Sequence, residues 1–170
     1  MPHVTARPGR QATRSPLDES AQYLTCGVGD ETFAIAVVQV REVIDLRPFS
    51  KVPNMPPFVR GMIDVRGKAV PVLDLRLKFG MPPAEPTDFS RIIVLEVIAG
   101  EQPLVVGALT DRVYEVTALD SDAIEPPPEI GTRWRSEIIR GIGRRHGTFV
   151  VVLNPNKVFS MEDLTSSPVH

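Results

Sequence analysis

A mainly β fold, built from two copies of one small unit, is the architecture this sequence predicts. Three observations carry that expectation. The run Arg60 to Gly80 (RGMIDVRGKAVPVLDLRLKFG) recurs as Arg140 to Phe159 (RGIGRRHGTFVVVLNPNKVF). Arg60-Gly61 matches Arg140-Gly141 and Gly67 matches Gly147. Val70, Val72 and Leu73 match Val150, Val152 and Leu153, while Asp74 and Phe79 match Asn154 and Phe159, all without a gap. Self-similarity of this kind is a fold-level signal. An echo precedes each copy, Val40-Arg41-Glu42-Val43 against Val113-Tyr114-Glu115-Val116. Finally, 17 prolines and 12 glycines cut the chain into short segments, which suits strands joined by turns rather than long helices.

Residues 1–19 are rich in Pro, Arg and Ser and lack periodicity, so they read as a disordered tail. Gln22 to Val28 and Glu31 to Ala36 read as strands about a Gly29-Asp30 turn. From Val37 to Leu46 the apolar residues Val37, Val40, Val43 and Ile44 fall near helical spacing. That predicts a short amphipathic helix, or a helix passing into a strand. Pro48, Pro53, Pro56 and Pro57 make the next stretch a loop, because a residue before proline is pushed out of the αR region. Phe58 and Val59 are expected to dock that loop on the core.

Met62 to Val65 and Ala69 to Leu73 form the arms of a hairpin about Arg66-Gly67-Lys68, with Gly67 free to take positive φ. Asp74 reads as the N-cap of a short helical segment carrying Leu75, Leu77 and Phe79, ended by Gly80 and Pro82. The Pro- and acid-rich residues 81–90 are the expected boundary between repeats. Ile92 to Ile98 is almost continuously apolar and is expected to be buried on both faces. Pro103 to Leu109 and Asp111 to Val116 follow, then a polar, acidic loop over 117–132. The second hairpin leads to Asn154-Pro155, which opens a last short helix with Pro at its N1 position. Residues 166–170 are expected to fray. Units of about 65–75 residues are marginal alone. The two copies are therefore expected to share a core across 20–165 and fold as one unit.

Composition removes several function classes. A net charge of −2 and 6% aromatics give no electrostatic or stacking case for nucleic acid. One cysteine, Cys26, excludes an internal disulfide framework and fits a reducing cytosol. No apolar run approaches the ~18–20 residues that span a bilayer, so work at a membrane would depend on recruitment. The histidines are His3, His146 and His170, with no zinc spacing, and no phosphate loop or nucleophile elbow is present. This points to a binding module. Arg66 at the hairpin tip is either a solvated turn residue or an exposed guanidinium that fixes a partner. Glu42 lies among Val40, Val43 and Ile44, either on the polar face of a helix or as a charge at the edge of an apolar patch. Val38, Val40 and Val43 suit a core or a groove. Asp64 and Asp74 read as turn partner and helix cap. Arg133, Arg135, Arg140, Arg144 and Arg145 are balanced by Asp120, Asp122, Glu125 and Glu129.

These residues also carry a family resemblance. Tyr23-Leu24, Gly29 to Ile35 (GDETFAI), Val40 to Ile44 (VREVI), Pro53 to Gly61 (PNMPPFVRG), Arg66 to Arg76 (RGKAVPVLDLR), Ile138 to Gly143 and Val150 to Val158 together resemble the CheW-like chemotaxis coupling proteins, from about Gln22 to Asp163. The resemblance implies two SH3-like five-stranded β-barrels packed together with a hydrophobic groove between them, no catalytic activity and no cofactor. It implies two partners, the cytoplasmic signalling tip of a chemoreceptor and the regulatory domain of a CheA-type histidine kinase. It also implies a cytoplasmic protein recruited to receptor arrays, with an array for type-IV pili or development as the alternative. On matching positions it suggests Val40, Glu42, Val43, Gly61 and Arg66 for the receptor side. Asp64-Val65 stands where the family usually has Asn-Leu, which makes Asp64 a candidate partner for Arg66.

Overall fold

Both repeated hairpins turn on two residues of positive φ. A computed structural model describes residues 22–119, 125 and 138–159. In it Arg66-Gly67 (φ 54° and 85°) and His146-Gly147 (φ 55° and 78°) each join a pair of antiparallel strands. Turns with this geometry match the right-handed twist of the flanking strands, which is why each carries a glycine. Lys68, expected in the turn, pairs instead with Val65 at the start of a strand. Asp64 serves the turn, its Oδ1 accepting the Gly67 N–H at 2.7 Å.

The strands in chain order are β1 (Tyr23–Val28), β2 (Glu31–Ala36), β3 (Val40–Asp45), β4 (Val59–Val65), β5 (Lys68–Asp74), β6 (Arg91–Ala99), β7 (Gln102–Thr110), β8 (Arg112–Thr117), β9 (Ile139–Arg145) and β10 (Thr148–Leu153). One-turn helices α1 (Leu75–Lys78) and α2 (Pro155–Val158) follow the two hairpins. The strands form two five-stranded sheets, β8-β1-β2-β10-β9 and β3-β6-β7-β5-β4. Exchanging β1 to β5 with β6 to β10, element by element, converts one order into the other. The repeat is therefore structural, and the halves are interleaved. Each sheet takes its first hairpin from one half of the chain and its other three strands from the other half. Residues 81–90 connect β5 and α1 to β6 within the second sheet, so the sheets and the sequence halves divide the chain differently.

Register repeats as well. Gly61 opposes Val72 and Val59 opposes Leu73, with a bulge at Arg60. Gly141 opposes Val152 and Ile139 opposes Leu153, with a bulge at Arg140. The interleaving is sealed by parallel pairings of β5 with β7 and of β10 with β2.

The largest core cluster lies between the sheets. It joins Leu24, Cys26, Val28, Phe33 and Ile35 of the first sheet to Ile93, Leu95, Val97, Val106 and Ala108 of the second, with Leu75, Phe79, Val158 and Phe159 packed at the helices. Phe33 and Phe79 meet at 5.1 Å between ring centroids. Smaller clusters fill each sheet's own interior: Ile63, Val70, Val72, Ile92 and Val94 in one, Tyr23, Ala34, Val150 and Val152 in the other. A shared core of this kind couples the folding of the two units. Arg76 of α1 reinforces it, donating to both Asp111 oxygens at 3.1 and 2.8 Å, while Asp111 Oδ2 accepts the Gly29 N–H at 2.7 Å.

One expectation is narrowed to its second alternative and one changes. Val37–Gln39 is a single 3₁₀ turn and the chain then runs as β3, so the helix passes into a strand after three residues. The strand keeps its two-residue alternation; the helical spacing arises because Val43 stands on the exposed face while Glu42 shares the less exposed face with Val40 and Ile44. In β6, Ile92 to Leu95 are buried, but Glu96 and Ile98 face outward, with Ile98 48% exposed. The expected N-terminal tail, the greater part of the 117–132 loop with Arg133 and Arg135, and residues 166–170 lie outside the described residues.

Candidate functional site

β3 and β4 are the two ends of the second sheet's strand order, yet side chains join them. Arg66, directly after β4, donates to Glu42 of β3 through Nη2 to Oε1 at 2.9 Å and Nε to Oε2 at 3.2 Å. Arg47 Nη1 donates to the Asp64 carbonyl at 2.7 Å, and Ser50 and Met62 exchange backbone hydrogen bonds of 2.8 Å across the same gap. The ends of the order can meet only if the sheet curls into a barrel. The first sheet closes in the same way, with Arg145 at the end of β9 donating Nε to Glu115 Oε2 of β8 at 3.3 Å.

Arg66 stands out on its turn with its side chain 78% exposed, and Glu42 is 27% exposed. The Arg66 hydrogen bonds hold the Glu42 carboxyl below the usual carboxylate range, and Glu42 in turn raises the Arg66 guanidinium. A pair this exposed adds little to stability, because water screens it. Its fixed, bidentate geometry is suited to recognition instead. Asp64 is committed to the turn and is not the partner of Arg66.

A groove of about 620 Å³ opens between the sheets. Val43 of β3, Phe89, Arg91 and residues 112–115 of β8 line it. Val43, Phe89 and Tyr114 are 39%, 60% and 53% exposed, so the groove presents aliphatic and aromatic surface to solvent. Charges edge it: Arg112 stacks over Phe89 at 4.7 Å, and Arg91 pairs with Asp45 at 3.4 Å. A second concave surface, of about 440 Å³, is lined by Val38, Gln39, Ile98, Arg140 and Asn156 beside the Arg41–Glu96 ion pair at 3.2 Å. Val38 is the most exposed large apolar residue there, at 84%. Asn156 Oδ1 ties this corner together, accepting from the Ile98 N–H at 2.9 Å and from Gln39 Nε2 at 3.2 Å.

The five residues suggested for the receptor side thus occupy four settings. Glu42 and Arg66 form one ion pair. Val43 lies in the groove, on the opposite face of β3 from Glu42 by strand alternation. Val40 is partly buried against the shared core. Gly61 is buried at φ 144°, and a Cβ there would stand 2.7 Å from the Ser50 carbonyl oxygen. Sequence reasoning missed Phe89, Arg112 and Tyr114. The signal for Tyr114 was present: it takes the place of Arg41 in the upstream echo, an aromatic at a position the repeat marks as outward. Among the described residues no group of three or more His, Cys, Asp or Glu side chains is placed to hold a metal ion, and no helix is long and apolar enough to cross a membrane.

The CheW-like domain model matches residues 22–163. This chain belongs to the CheW family. The chemotaxis protein CheW of Rhizobium meliloti is 30% identical over 155 residues, covering 86% of this chain and 97% of that protein. The Bacillus subtilis chemotaxis protein CheW is 28% identical, covering 82% and 87%. Among solved structures, the scaffolding protein TtCheW from Thermoanaerobacter tengcongensis superposes with a TM-score of 0.74 at 28% identity, covering 84% of this chain and 94% of that one. The mainly β fold of two five-stranded units is therefore a CheW fold in topology as well as in sequence.

Proposed function

We propose that this CheW-family protein is a non-catalytic, cofactor-free cytoplasmic adaptor that links the signalling tips of chemoreceptors to a CheA-type histidine kinase in chemotaxis. One observation carries the reading: an exposed apolar groove bears Val43, Phe89 and Tyr114, and the adjacent residue of β3, Glu42, holds a solvent-exposed Arg66 in a bidentate pair that adds little to stability. Contiguous exposed apolar surface with polar margins suits a helix laid in a groove. An amphipathic receptor helix would place its apolar face on Val43 and Tyr114, with Glu42 and Arg66 orienting it at the margin. Val40 and Gly61 would act indirectly, by fixing the course of β3 and the closeness of β4 to Ser50. The second concave surface, with Val38 and Ile98, offers a separate apolar contact for the kinase's regulatory domain. Coupling then needs no chemistry in this chain. The adaptor shifts kinase activity only by binding one state of the assembly better than the other. Relatives named as chemotaxis proteins favour a chemotaxis array over one for pili or development.

Arg66→Glu tests the site. It should weaken binding of a receptor signalling fragment by about tenfold, as reversing the sign of an orienting charge does, and leave the melting temperature near that of the wild type. Unchanged affinity would remove Arg66 from the site, and an unfolded variant would make its role structural.

A further inference from the structure

The interleaved repeat gives the groove two walls, β3 from one half of the chain and β8 from the other. Arg91, Arg112 and Glu115 are the charged side chains that line it. Two of them already have partners. Arg91 Nη1 donates to the Asp88 and Ser90 carbonyls at 2.8 Å, and its Nε lies 3.4 Å from Asp45 Oδ1. Glu115 Oε2 accepts from Arg145 Nε at 3.3 Å. Arg112 differs. It is exposed at the start of β8, and its guanidinium lies 4.7 Å from the centre of the Phe89 ring. Among the described residues it has no hydrogen-bond or ion-pair partner. Asp111, the acid beside it in sequence, is committed to Arg76 and to the Gly29 N–H. The ring attracts the cation without occupying its five N–H donors, so Arg112 is placed in the groove with its hydrogen-bonding capacity unused.

We infer that Arg112 is a specificity-determining residue of the groove, reading an Asp or Glu carboxylate on the helix seated there. The inference rests on the receptor-binding reading above and adds the charge on the partner and its position. Tyr114 lies two residues along β8 from Arg112, about 7 Å at the rise of a strand. One helical turn advances about 5.4 Å. For a helix laid along β8, the carboxylate therefore stands three or four residues from the apolar side chain that meets Tyr114. A guanidinium grips a carboxylate through two parallel N–H donors, which fixes orientation as well as charge. Reversing one sign of such a pair turns attraction into repulsion. The competing role is structural, with Arg112 only covering Phe89. Exchanging charges between the two partners separates the roles.

The experiment measures affinity for a receptor signalling fragment at low and high salt, and melting temperature, for the wild type, Arg66→Glu, Arg112→Gln and Arg112→Glu. Each Asp and Glu of the fragment is also replaced in turn by Lys. The expected result is affinity lowered about fivefold in Arg112→Gln, with a flatter salt dependence, and about tenfold in Arg112→Glu. Both variants should melt with the wild type, and one of the Lys fragments should restore binding to Arg112→Glu. Wild-type affinity in both Arg112 variants while Arg66→Glu binds weakly, or weak binding that no Lys fragment restores, would overturn the inference and leave the groove assignment intact. Should the wild type itself not bind the fragment, the receptor-binding reading fails and the inference falls with it.

Discussion

The ends of the two hairpins share a turn and a bulge, yet they differ at the residue that opens the next helix. Asp74 is 3% exposed. Its Oδ1 accepts the Arg76 N–H at 2.9 Å, capping α1, while Oδ2 accepts from Arg60 Nη1 at 2.9 Å. Asn154 holds the same place before α2. It makes no side-chain cap, and its Oδ1 is buried without a donor among the described residues. One half has kept a fully satisfied polar junction and the other has not. Duplication fixes the backbone path, and the side chains on that path are then free to diverge.

That difference predicts unequal costs. Asp74→Ala removes the cap and leaves the partly buried Arg60 without its carboxylate, which should cost about 3 kcal/mol. Asn154→Ala should cost under about 1 kcal/mol, because no cap is lost. Urea denaturation of both variants checks the contrast, and equal costs would refute it. Asn154→Asp sharpens it. A carboxylate there would be buried where Asn154 Oδ1 finds no donor among the described residues, so the variant should lose about 2 kcal/mol, read as a lower denaturation midpoint at unchanged slope.

A smaller effect reports on the surface the halves share. Cys26 is fully buried in the inter-sheet core, and burial, with the Asp111 charge second, pushes its thiol from 9.0 up to about 12. The unfolded chain releases that proton before the folded chain does. Stability should therefore decline as pH rises from about 9 toward 12. In the native protein a thiol reagent should label Cys26 no faster than the whole molecule unfolds. Faster labelling would mean that the two barrels open separately.

The smallest effect belongs to the closing ion pair. Glu42 is held below the ordinary carboxylate range, so whatever it contributes is present at neutral pH and lost as pH falls through its folded pKa. Arg66→Gln should move the Glu42 carboxyl titration upward by NMR and leave the melting temperature nearly unchanged.

Local chemistry was legible in the sequence, and long-range pairing was not. The hairpin strands, the Asp74 cap, the Pro155 helix start and the turn role of Asp64 follow from residue type and spacing, which act over a few residues. The interleaving of halves is set by the parallel pairing of β5 with β7 and β10 with β2, and no spacing encodes such contacts. An apolar residue on the exposed face of β3, Val43, and a charged one on the other, Glu42, hid a strand behind a helical pattern. At the site, Glu42 and Arg66 were visible as charges in apolar surroundings, but their pairing depends on barrel closure, which brings sheet edges together across 24 residues. Phe89 sits in a linker without periodicity, so nothing local marked it as part of the groove.

The most direct test is a three-component reconstitution with a CheA-type kinase and a receptor signalling fragment, following kinase autophosphorylation. The wild-type adaptor should raise autophosphorylation only when the receptor fragment is present, and Arg66→Glu should bind the kinase but lose that receptor-dependent increase. Stimulation by Arg66→Glu equal to the wild type, or stimulation without receptor, would contradict coupling through the groove.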